Sequence, residues 1–107
     1  MRRSIWLTSL TLLLAAAPAL AESPDGDAAA GREVAKRWCA SCHDVTGHQA
    51  HVQPDVISFP EIARLKGVSM DSLIAIQSMP HIPMLDLDLS RRTKRDIAAY
   101  ILSLKAK

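Results

Sequence analysis

The chain has 107 residues, 13 lysines and arginines against 11 aspartates and glutamates, and two cysteines. A length of this order allows one domain with a modest core. The near-balanced charge speaks against a nucleic-acid binder, and the absence of a second cysteine pair leaves no ordinary zinc site.

The first 21 residues differ from the rest. Arg2 and Arg3 precede an almost unbroken apolar run from Ile5 to Ala17, and Ala19-Leu20-Ala21 follows with small residues in an A-x-A pattern. This is the form of a secretory signal peptide over 1–21, cut before Glu22. The apolar run falls short of the roughly 20 residues that a membrane span requires, and Pro18 closes it. The remaining chain, 22–107, is expected to be one exported domain with no stable membrane insertion. Its acidic and basic residues are equal in number once Arg2 and Arg3 are removed, and its aromatic residues are only Trp38, Phe59 and Tyr100. So few rings make a thin core unless a bound group fills it.

Periodicity predicts helices and no strands. Asp27 can cap a first helix reaching Trp38, in which Ala28, Gly31, Val34, Ala35 and Trp38 share a face. Residues 43 to 57 hold Gly47, three histidines and Pro54 without a clear period, which predicts a loop. Ser58-Phe59-Pro60-Glu61 has the capping-box form with proline in the first turn, so a short helix should run to about Lys66 and stop at Gly67. Ser69 or Asp71 can start the next, carrying Leu73, Ile74, Ile76 and Gln77 towards Met79. Pro80 and Pro83 interrupt regular structure over the stretch to Asp88. Ser90 caps a last helix with Ile97, Ala98, Ile101, Leu102 and Leu104 on its apolar side. The fold class read from this pattern is all-α.

Cys39-Ala40-Ser41-Cys42-His43 carries the chemistry. In C-x-x-C-H two thiols can add across the vinyl groups along one edge of a haem, and the adjacent histidine can swing beneath the iron. Other readings of the motif fit less well. A thioredoxin-type site, which Trp38-Cys39 resembles, needs a strand before it and a βαβ frame, and the preceding segment is helical. A Cys39–Cys42 disulfide would close too short a loop to stabilise much. His48 and His51 read as solvated loop residues rather than partners of His43 in a metal site.

A second axial ligand must come from elsewhere, and a thioether opposite a histidine is the arrangement that raises reduction potential. Met1 departs with the leader and Met70 begins a helix. Met84, in H-I-P-M just before the last helix, is the first choice. Met79, at a helix end, and His81, which would give a bis-histidine site, are the alternatives.

The whole of 22–107 resembles a class I cytochrome c. The resemblance is carried by Gly31, eight residues before Cys39; by C-x-x-C-H; by P-H-I-P-M ending at Met84; and by Leu89-Ser90 with Asp96-Ile97-Ala98-Ala99-Tyr100-Ile101. It implies a class I fold in which crossed first and last helices and short helices and loops wrap one haem c. That haem would be covalently held by Cys39 and Cys42 and axially ligated by His43 and Met84. It also implies that Gly31 meets Tyr100 at the crossing, with Ile97 and Ile101 alongside. A backbone carbonyl should accept the hydrogen bond of His43, from Ile57 where the family usually has proline, or from Pro54. The resemblance further implies a monomer that carries single electrons between periplasmic donor and acceptor proteins and is no enzyme. Two rivals stand beside this. One is a dedicated haem subunit of a larger dehydrogenase, built on the same module. The other is a ligand sensor or peroxidase-like protein in which Met84 leaves the iron.

The start of the last helix departs from the family pattern. Arg91, Arg92, Lys94 and Arg95 stand where the helix dipole is already positive and acidic residues are usual. They read as a solvated face relieved by Asp86, Asp88 and Asp96, or as a docking patch for an acidic redox partner.

Overall fold

The computed structural model describes residues 23–79, 81, 84 and 86–106. The leader and its cleavage point lie outside the described residues. Four α-helices follow in chain order, α1 (Ala28–Trp38), α2 (Phe59–Arg64), α3 (Met70–Ser78) and α4 (Arg91–Ser103), and a 3-10 turn spans Leu104–Ala106. Among the described residues there is no strand, and no helix is long and apolar enough to cross a membrane. The fold is all-α.

Local chemistry sets each helix start. The Asp27 carboxylate accepts from the amides of Ala29 (2.9 Å) and Ala30 (3.0 Å), satisfying donors that the first turn of α1 leaves unpaired. At α2, Ser58 and Glu61 close a reciprocal capping box, with the Ser58 amide donating to Oε2 of Glu61 at 2.9 Å. Ser69, not Asp71, starts α3, and its hydroxyl accepts from the Ser72 amide at 3.1 Å. Ser90 caps α4 by accepting from the Thr93 amide at 3.0 Å. The second helix ends at Arg64, short of the expected Lys66, because Leu65 already turns out of helical geometry and the chain reverses through Gly67 at φ +79°.

The main packing is α1 across α4, with α3 and α2 also resting on α4. Ala35 from α1 and Ile97, Ala98, Tyr100 and Ile101 from α4 are buried in one core with Phe59, Ala63, Leu73, Val45 and Leu104. At the crossing, a Cβ on Gly31 would meet the carbonyl carbon and oxygen of Asp96 and lie 2.8 Å from the amide nitrogen of Ile97. The glycine therefore admits the backbone of α4 itself. The nearest atoms are backbone, one helical turn before Tyr100. Asp96 adds a polar tie, since its Oδ1 accepts from the Asp27 amide at 2.8 Å.

Tyr100 works at a different contact. Its hydroxyl donates to the carbonyl of Val45 at 2.7 Å, pinning the buried Val45 and the long loop against α4. Burial pushes the phenol above its ordinary value, so the neutral donor form is favoured there. Trp38 was expected on the core face and is instead 55% exposed, because α1 ends at this residue and its ring lies at the rim of the cleft described below.

Gly31→Ala tests the crossing by its sign. At an open helix position this change stabilises by about 0.5–1 kcal/mol. Here the added methyl faces backbone that cannot rotate away, so denaturant unfolding should show a loss of about 1–3 kcal/mol or more. A gain in stability would contradict the close approach.

Candidate functional site

Helix α1 delivers the cysteine motif as a continuation of its last turn. The Cys39 amide donates to Ala35 O at 2.8 Å, and the Cys39 carbonyl then accepts from both Cys42 N (3.1 Å) and His43 N (2.9 Å). One tight turn thus holds both sulfurs and the imidazole. The two thiols sit in different surroundings. Cys39 is buried, which pushes its pKa up to about 11, whereas Cys42 is exposed and its sulfur lies 3.7 Å from Nε2 of Gln53.

The His43 ring is fixed from one side. Its Nδ1 lies 2.7 Å from the Ile57 carbonyl, which can only accept, so Nδ1 is the donor and in the neutral ring Nε2 is the nitrogen with the lone pair. Between Ile57 and Pro54 as acceptor, the structure selects Ile57. Phe59 braces the same ring, with centroids 5.5 Å apart and planes tilted by 52°, and itself rests against Tyr100 at 6.3 Å. The loop from 43 to 57 is held by its own side chains. Asp44 Oδ1 accepts from the amides of Thr46 (3.0 Å) and Gly47 (2.6 Å), and Gln49 bridges Val45 N (2.7 Å) and Ala40 O (3.0 Å). Burial opposes ionisation of Asp44, but the amides of Thr46, Gly47 and Gln49 outweigh it and keep the carboxyl below its ordinary range.

Next to this turn lies an apolar cavity of about 420 Å³, walled by His43, Phe59, Ile62, Leu73, Met84 and Ile97 among others. A second, of about 260 Å³, adjoins it on the Cys42 side and is walled by Trp38, Ser41, Cys42 and Val56. Cys39, His43, Ile57, His81, Met84 and Leu87 line both, so the two form one cleft. The far wall is tied by Gln77, whose Nε2 donates to Leu73 O at 2.9 Å and to Lys94 O at 3.0 Å, joining α3 to α4.

The cleft therefore brings together every residue expected at a haem: Cys39, Cys42, His43 and Met84. It also includes His81. It excludes Met79, which is 55% exposed and lines neither cavity, and His48 and His51, which are exposed. Among the described residues no three His, Cys, Asp or Glu side chains gather as a metal cluster. The walls suit a flat apolar group. Ile57, Leu65 and Ile76 are large hydrophobic side chains at least 41% exposed, and all three line the cleft. The cavity volume falls in the range of about 300–1,000 Å³ typical of cofactor sites.

The chain is 42% identical over 99 residues to a cytochrome c-552 of Bradyrhizobium diazoefficiens, covering 92% of this chain and 95% of that one. It belongs to the class I cytochrome c family. No family model matches the chain, and no solved structure matches it. The cytochrome holds one covalent haem c and is a carrier of single electrons, not an enzyme. Its partners are redox proteins.

The bracing of His43 within the cytochrome can be measured. Phe59→Ala removes a ring that is 4% exposed and touches both His43 and Tyr100. Unfolding of the haem-loaded protein should show a loss of about 3–5 kcal/mol. An unchanged denaturation midpoint would mean that Phe59 supports nothing.

Proposed function

We propose that Cys39 and Cys42 hold the haem through thioether bonds, that His43 and Met84 are its axial ligands, and that the protein shuttles electrons between periplasmic donor and acceptor proteins. The observation that carries this reading is that His43, its Nε2 left free by the Nδ1 bond to Ile57, shares one cleft with Met84. Haem supplies a metal centre that changes oxidation state by one electron without making or breaking substrate bonds.

Each protein group has a definable part. The Ile57 carbonyl orients the His43 imidazole and makes its free nitrogen a stronger donor. Met84 contributes a thioether, which favours the reduced metal and raises the potential. With both axial places taken, no position is open to a substrate, and this favours a carrier over a sensor or a peroxidase-like protein. Phe59, Ile62, Leu73 and Ile97 exclude water from the ring faces, and low polarity there limits reorganisation during transfer.

The periplasm is the compartment this reading assigns. The leader 1–21 has all the parts of a signal peptide, and 22–107 is then the mature cytochrome domain. Support comes from the extent of the match: coverage of 92% is more than residues 22–107 alone can supply, so the relative has a counterpart to part of the leader. Residues 22–107 have no net charge, which favours protein partners over nucleic acid, and we assign a monomer.

Paired substitutions test the ligand set. Met84→Ala should keep the haem attached, lower the reduction potential and abolish the weak long-wavelength band that a thioether ligand gives ferric haem. Met79→Ala should leave both unchanged. Loss of the band in the Met79 variant alone would assign the thioether to Met79 and overturn the proposal.

A further inference from the structure

His81 stands beside Met84 in the cleft without a part in the function above. We propose that His81 is a reserve axial ligand: when the Met84 thioether leaves the iron, the His81 imidazole takes its place. The site then changes from histidine–methionine to bis-histidine. This rests on the ligand set proposed above and goes beyond it.

Of the six residues that line both cavities, Ile57 and Leu87 have hydrocarbon side chains and Cys39 is assigned to the thioether bond. That leaves His43, Met84 and His81 as side chains able to ligate a metal there. The nearest competitors by sequence fall outside, since neither Met79 nor His48 nor His51 lines either cavity. Lys66 and Asp55 each line only one of the two cavities, so among the residues that, like Met84, line both, the replacement is His81.

The imidazole is also prepared electronically. Its Nδ1 lies 3.2 Å from the Met79 carbonyl, which can only accept. The proton is held on Nδ1, and Nε2 is left with its lone pair. This repeats, with a longer bond, the arrangement of His43 on Ile57. Both imidazoles are thus oriented by a backbone carbonyl, as metal-ligating histidines ordinarily are.

Reach and order follow from the chain. His81 and Met84 are three residues apart, so their Cα atoms can be no more than about 11 Å apart. They lie between the end of α3 at Ser78 and the start of α4 at Arg91, and neither His81 nor Met84 is itself in a helix. Met84 is half-buried and His81 exposed, which makes the methionine the resident ligand and the histidine the one waiting at the rim. The exchange breaks one iron–sulfur bond and forms one iron–nitrogen bond. An imidazole that enters as the neutral ring transfers no proton or electron. Because two nitrogen ligands favour the oxidised metal, the exchange lowers the potential.

The test uses the haem-loaded mature protein and reads spin state by electron paramagnetic resonance and absorption. Met84→Ala should be low-spin, with the signature of two imidazole ligands, and Met84→Ala combined with His81→Ala should be high-spin. A high-spin Met84→Ala single variant overturns the proposal, and so does a double variant that stays low-spin. Retention of the thioether band in Met84→Ala would instead overturn the ligand set itself, so the two failures are distinct. Should Met84→Ala not accumulate, oxidising Met84 to its sulfoxide with chloramine-T supplies the same comparison. The parent protein should then become bis-histidine and low-spin, and His81→Ala should become high-spin. A parent protein that turns high-spin on oxidation overturns the proposal.

Discussion

The close approach of α1 to α4 at Gly31 is the constraint on which the rest depends. Backbone meets backbone there, at Asp96 and Ile97, and the Asp96 carboxylate ties the contact to the amide of Asp27. Once that point is fixed, the end of α1 can place Cys39, Cys42 and His43 only where α4 presents Ile97 and Ile101. These are two walls of one cleft. The remaining walls are hung on the same pair of helices. Gln77 secures α3 to the carbonyl of Lys94, and Tyr100 secures the long loop through Val45. A protein with so small a buried core gains stiffness by attaching loops to a single crossing and by folding around a rigid planar group.

The helix starts were legible in the sequence because capping is local. Asp27, Ser58 with Glu61, Ser69 and Ser90 each act on amides within three residues, so a side chain and its spacing suffice. The cysteine motif was legible for the same reason. Contacts between distant segments were less so. Gly31 was read correctly as a point of close approach, but that the backbone of Asp96 and Ile97 comes nearest was not legible, since a helical pattern leaves open where on each helix the crossing falls. Trp38 followed the apolar face in sequence yet is 55% exposed and lines the cleft. The acceptor for His43 was left between two residues because a backbone carbonyl has no signature in a side chain. Gln77, whose amide reaches two carbonyls, had none either.

Electrostatics divides the molecule. Around His43 the charges and dipoles are matched: the Ile57 carbonyl receives Nδ1, and Asp44 is surrounded by amide donors. The start of α4 is built differently. No acidic residue lies in its first turn, and Lys94 reaches the hydroxyl of Ser78 rather than a carboxylate. Nothing in the structure explains why Arg91 stands at the positive end of the helix. The contrast suits a protein whose cleft must hold one group in one orientation while its surface need only stay soluble and meet its partners.

Covalent attachment through the turn at the end of α1 is the central claim, and one measurement bears on it most directly. The protein secreted from a host that makes c-type cytochromes can be weighed intact, then digested and the haem-bearing peptide weighed. The account predicts a chain beginning at Glu22 whose mass exceeds that of its residues by one haem. It also predicts that the added mass is confined to the peptide holding Cys39 and Cys42, with neither thiol open to alkylation. A chain of bare mass with Cys39 and Cys42 joined in a disulfide would contradict it.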